Sequence, residues 1–161
     1  IKRDVPESAN MAKQLARWLH GRVPVVVGAQ ALAPVAYRWR TQVNENAKSW
    51  AIAEELPEMN HNAQTNYDLP ASTVPLLRAV LLRHAAMHPR IRLRVDATAA
   101  AMRDAGVAAE IIEITGSSLL AQMLRAVLLG DYVSYYLGLL NGVHPSPVPA
   151  LGELKDLLAS K

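Results

Sequence analysis

Apolar positions recur along the chain in two rhythms, and the changes between them divide it into helices and strands. Over residues 8–20, Met11, Leu15, Trp18 and Leu19 repeat at the spacing of one helix face. Ser8 or Asn10 can cap its start and Gly21 its end. Residues 22–28 break that rhythm with a continuous β-branched run, the pattern of a strand covered on both faces. Pro34 presets the first turn of a helix reaching Lys48. Residues 50–54 predict a second strand, a weaker one because Ala51 and Ala53 are also good helix formers. The polar, turn-rich stretch 60–75 reads as a loop with a short helix in it. Residues 76–82 fit either rhythm, and their length and the Pro75 stop favour a buried strand. A helix follows Pro89 and ends at Gly106, and Val107, Ile111, Ile112 and Ile114 mark a strand over 107–115. Ser117 is placed to cap the longest helix, 119–140; Gly142 and a proline run end it before a short helix over 151–158.

Strand and helix alternate four times, which predicts a parallel α/β sheet with helices on both faces. Ligands of such sheets sit beyond the carboxyl ends of the strands, here Gly28 onward, the region after Glu54, and Gly116-Ser117-Ser118. No stretch is apolar for the roughly 18 residues a membrane span needs. The 161 residues suffice for one core without staples, and the absence of cysteine excludes disulfides and thiolate zinc sites. The pI of 9.4 comes from a net charge of only +3 with scattered arginines, which is no nucleic-acid footprint. The chain opens on Ile1-Lys2-Arg3, so we expect it to be a piece of a longer protein.

Most candidate chemistry has a plainer structural explanation. Gly116-Ser117-Ser118 could hold an anion at a helix start, but reads better as a cap. Gly28-Ala29-Gln30 is too poor in glycine for a nucleotide loop, so no nucleotide cofactor is indicated. His84 and His88 are four apart, but Pro89 disfavours a helix there and no third ligand is evident, so no metal is expected. The arginines from Arg78 to Arg103 lack interleaved aromatics and read as a solvated face. Tyr132, Tyr135 and Tyr136, with Leu128, Leu129 and Leu139, are expected to form the buried stripe of the long helix. Glu45, between two asparagines late in the second helix, would ordinarily be a surface residue. His61, flanked by Asn60 and Asn62 on a polar loop, is free to act as an acid/base group near neutral pH.

Three blocks carry more than packing demands. They are residues 38–48 with Gln42-Val43-Asn44-Glu45-Asn46, residues 57–62 with Asn60-His61-Asn62, and residues 129–148 with Gly130-Asp131-Tyr132-Val133-Ser134-Tyr135-Tyr136. In composition and order they resemble the second sugar-isomerase (SIS) domain of bifunctional phosphoglucose/phosphomannose isomerases. The resemblance covers most of the chain and implies one SIS domain over residues 1–161, the second of two, with the family's three-layer, flavodoxin-like parallel sheet.

It further implies a cytoplasmic homodimer of carbohydrate metabolism that interconverts glucose 6-phosphate or mannose 6-phosphate with fructose 6-phosphate, without cofactor or metal. Glu45 matches the base that moves a proton between C1 and C2 through a cis-enediol. His61 matches the ring-opening group, reaching the site from the neighbouring subunit, and Lys155 matches a lysine near the enediol oxygens. A carboxylate that takes a proton from carbon must be partly desolvated, and a cation stabilises the oxyanion that forms. The chain departs from the family pattern at Ala63 and His144, where acidic residues are usual. The family's Ser/Thr-rich phosphate loops belong to the first SIS domain, so this domain alone is expected to be inactive. The rival expectation is a SIS domain that only binds a sugar phosphate or dimerises.

Overall fold

The computed structural model describes residues 1–160. The aliphatic runs build a parallel sheet of β1 (Val23–Ala29), β2 (Ile52–Leu56), β3 (Leu77–His84) and β4 (Ala108–Ile114), in the order β2-β1-β3-β4. Val25 pairs with Ile52 on one side and Ala79 on the other, while Leu82 pairs with Ile112. The two central strands, β1 and β3, carry nearly unbroken burial, as their continuous apolarity predicts.

The described residues form six α-helices: α1 (Met11–Leu19), α2 (Ala33–Ala47), α3 (Glu58–Asn62), α4 (Pro89–Asp104), α5 (Leu119–Leu140) and α6 (Pro149–Ala159). Right-handed crossovers to opposite sides of β1 place α2 on one face and α4 on the other. α2 packs on β1, β2 and α5, with α1 beside α5; α4 packs on β3 and β4. This is the expected three-layer α/β architecture. Among the described residues no helix is long and apolar enough to cross a membrane.

Local chemistry moves several predicted boundaries. Asn10, not Ser8, caps α1, its Oδ1 accepting from the Lys13 N–H at 3.2 Å. Ser118, not Ser117, caps α5 through the Ala121 N–H, also at 3.2 Å. β2 starts two residues later than predicted, because pairing with Val25 begins at Ile52; Trp50 lies outside it, 82% exposed. Leu76 belongs to a single 3-10 turn, and β3 runs on to His84. Val107 is buried but precedes β4.

The stripe predicted for α5 is the clearest correction. Leu129 and Tyr136 are buried, but Leu128, Tyr135 and Leu139 are exposed. The helix is apolar all round, so its hydrophobic residues cannot mark the packed face. Small residues mark it instead: Gly130, Ser134 and Gly138, spaced by four, are buried against α2. A Cβ on Gly130 would lie 2.3 Å from Trp39 Nε1, and one on Gly138 would lie 2.6 Å from the Asn46 carbonyl oxygen.

His84 ends β3 only 3% exposed, and neither ring nitrogen has a hydrogen-bond partner among the described residues. Burial and then the Arg92 charge hold its pKa below the ordinary 6.5, against the pull of Glu113. The folded state therefore prefers the neutral ring, and the unfolded chain takes up its proton first on acidification. Stability attributable to His84 should be complete above pH 6.5 and decline as pH falls below it, levelling once the folded form also protonates. Urea titrations across that range should show the decline in wild type and a smaller one in His84→Leu. Gly138→Ala should cost about 1–2 kcal/mol net, since overpacking against backbone outweighs the helix propensity gained, and should lower the urea midpoint.

Candidate active site

The last turns of α2 are fixed by what their neighbours bond. Val43 and Ala47 are buried, which turns Glu45, between them in sequence, toward solvent. Asn44 Nδ2 donates to the Ser49 carbonyl at 2.7 Å and ties the helix end to the strand that follows. Asn46 Nδ2 donates to Gln42 Oε1 at 3.2 Å and to Ser134 Oγ at 2.9 Å; that hydroxyl donates to the Asp131 carbonyl at 2.9 Å. Arg38 pairs with the Asp131 carboxylate at 3.0 Å, and Trp39 Nε1 donates to the Ala126 carbonyl at 2.8 Å. Asn141 Nδ2 donates to the Ala47 carbonyl at 2.9 Å. Motif residues on α2 and α5 thus bond to one another and leave the Glu45 side chain out of the network.

Glu45 lines a cleft of about 770 Å³ together with Arg40, Thr41, Lys48, Trp50 and Leu151. Thr41 stands four residues before Glu45, and that helical-face spacing is the signal in the sequence that marks it as a neighbour. The guanidinium of Arg40 lies 4.1 Å from the centre of the Tyr37 ring. Leu151 comes from the first turn of α6, the helix that also carries the exposed Lys155. Glu45 is itself exposed, so this domain alone does not supply the desolvation that carbon acid chemistry requires.

The cleft lies at the amino end of β2, because α2 runs back across the sheet to enter that strand. His61 lies beyond its carboxyl end, exposed on α3 rather than on an open loop. The five residues of β2 alone span about 13 Å at roughly 3.3 Å per residue. Glu45 and His61 of one chain therefore face opposite edges of the sheet, and His61 does not line the cleft.

Neither glycine turn at the carboxyl edge forms an open cradle. The side chain of Gln122 donates to the Gly116 carbonyl at 3.2 Å and fills the space beside Gly116. A Cβ on Gly28 would meet the Leu32 carbonyl at 2.3 Å, so the β1–α2 turn itself demands glycine there. His88 Nδ1 accepts from the Arg90 N–H at 3.2 Å and caps α4, apart from the buried His84. Among the described residues no group of three His, Asp or Glu is placed to hold a metal ion. The arginine-rich middle is largely paired internally: Arg83 with Asp96 and Glu113, Arg92 with the His84 carbonyl, Arg94 with Asn60, Arg103 with the Ala109 carbonyl.

Residues 8–158 match the family described as the bacterial phospho-glucose isomerase C-terminal SIS domain. The chain belongs to that family. It is 34% identical over 158 residues to the bifunctional phosphoglucose/phosphomannose isomerase of Aquifex aeolicus, covering 98% of this chain and 49% of that protein. Identity to the protein of the same name from Caldicellulosiruptor bescii is 35% over 159 residues, covering 98% and 47%. The crystal structure of a glucose-6-phosphate isomerase like protein from Thermus thermophilus superposes with a TM-score of 0.71 at 25% identity, over 92% of this chain and 49% of that one. The chain spans about half the length of the curated relatives it matches. The SIS-type fold read from the motif blocks is the fold observed.

Because Glu45 is solvent-facing and Asn46 is built into the helix contact, their substitutions should separate. Glu45→Gln should change stability by less than about 0.5 kcal/mol, whereas Asn46→Ala should cost about 1 kcal/mol or more. Urea midpoints of the two variants test this directly.

Proposed function

We propose that this SIS domain supplies the base-bearing half of an aldose–ketose isomerase that interconverts glucose 6-phosphate or mannose 6-phosphate with fructose 6-phosphate. The observation that carries the reading is Glu45: a carboxylate left free in an open cleft by a helix whose other motif residues are committed to holding it still. Family membership and the names of the relatives supply the substrate class.

In this reading Glu45 removes the proton from C2 of the open-chain aldose while O1 gains one, giving a cis-enediol. Return of the proton to C1, with loss of the proton on O2, gives the ketose. One carboxylate serves both carbons because C1 and C2 are adjacent. Lys155, not itself a lining residue but on the helix whose first turn lines the cleft, stabilises negative charge on the enediol oxygens. His61 opens the ring by moving a proton to the ring oxygen. Its position at the opposite sheet edge from Glu45 supports delivery from a second copy, which makes the working unit a homodimer with shared sites. The Ser/Thr-rich phosphate loops and the groups that desolvate Glu45 come from outside this domain.

In the full-length protein, Glu45→Gln should lower kcat by at least about a thousandfold while sugar-phosphate binding, measured by calorimetry, persists. A Glu45→Gln chain and a His61→Ala chain, each inactive alone, should regain roughly a quarter of wild-type activity when refolded together, because half of the random dimers then hold one intact site. Absence of any isomerisation by the wild-type full-length protein would instead support the binding-only reading that Ala63 and His144 favour.

A further inference from the structure

Lys48 occupies an unusual position. It follows α2 as its C-cap with φ 52° and ψ 37°, the left-handed conformation that glycine or asparagine ordinarily takes at a helix end. Its side chain explains why a lysine can be worth that strain. Nζ donates to the Glu45 carbonyl at 2.6 Å and to the Pro145 carbonyl at 3.0 Å, joining the end of α2 to the link between α5 and α6. A cation here is also favoured by the unpaired carbonyls and negative dipole end of α2.

The link matters because α6 has little else to hold it. None of its described residues is buried, and its apolar Leu154, Leu157 and Leu158 are exposed by half or more. An isolated helix of eleven residues is marginal in water. Yet its first turn contributes Leu151 to the Glu45 cleft, with Val148 just before it. The same ammonium bonds the Glu45 carbonyl and the Pro145 carbonyl, so it ties the link ahead of α6 to the turn that carries the base.

We infer that Lys48 is a positioning residue whose ammonium straps the α5–α6 link to the Glu45 turn and so sets where α6, with Lys155, stands over the cleft. The catalytic consequence rests on the isomerase reading above; the strap itself does not.

Two readouts on the full-length protein separate the two. Hydrogen exchange of the α6 amides of residues 153–158 should speed up by about fivefold or more in Lys48→Met and Lys48→Gly, with the amides of α2 unchanged. Lys48→Gly, which fits the left-handed conformation, should keep or raise the melting temperature, so its exchange change cannot come from general unfolding. For isomerisation, both variants should lose about tenfold or more in kcat with KM within roughly twofold, and Lys48→Arg, which keeps a donor, should recover part of the loss. Unchanged α6 exchange in Lys48→Met would overturn the strap. Faster exchange with unchanged kcat in an active enzyme would overturn its role in positioning. A wild-type protein without isomerase activity would fail the isomerase reading alone, leaving exchange to decide the strap.

Discussion

Trp39 and Asn46 on α2 pass Gly130 and Gly138 on α5 so closely that a single added carbon at either glycine would lie within 2.6 Å of them. Glycine weakens a helix interior by about 1 kcal/mol relative to alanine, so two of them in α5 are retained against local preference. What they permit is close approach, and close approach permits the bonds: Asn46 to Ser134, Trp39 to the Ala126 carbonyl, Asn141 to the Ala47 carbonyl. Each satisfies a polar group that would otherwise be costly between packed helices. This contact holds the end of α2 against α5, and Glu45 emerges on a solvent-facing side.

The same geometry sets the two candidate site residues at opposite edges of the sheet. A parallel βαβ unit returns each helix to the amino edge before the next strand begins, so a residue late in α2 and one just after β2 stand at opposite ends of that strand. Glu45 and His61 are such a pair. In the proposed reading one chain would carry half of each of two sites, and the separation of the two residues supports the proposal that full sites form between copies. The rule that ligands gather at the carboxyl edge leads to His61 but away from Glu45, whose cleft opens at the other edge.

The sheet was legible because β1 and β3 are continuous apolar runs, and period and burial coincide there. Where the structure departs from the pattern, pairing or capping overrode local preference: β2 begins where Val25 offers a partner, and α5 keeps its predicted range but is capped by the serine whose hydroxyl reaches an amide, Ser118. The packed face of α5 was not legible from hydrophobicity, since leucines cover the whole helix; its small residues at a spacing of four held the signal. For the site, composition alone would have passed over Glu45 as a surface residue. The motif blocks pointed to it, and the structure shows that two of the three, residues 38–48 and 129–148, are the two sides of one helix contact, while the third, with His61, stands apart on α3. Lys48 escaped notice because a lysine says nothing about its own φ, and its strained backbone emerges only with the fold.

The most direct test is a crystal structure of the full-length protein with a phosphorylated hydroxamate that mimics the enediolate, since such mimics bind where charge develops. The ligand should lie in the cleft at the amino end of β2, with the Glu45 carboxylate within hydrogen-bond distance of the atoms corresponding to C1 and C2, and with His61 of a second copy at the ring-oxygen end. A ligand bound instead at the carboxyl edge, against Gln30 and Ser118 and remote from Glu45, would contradict it.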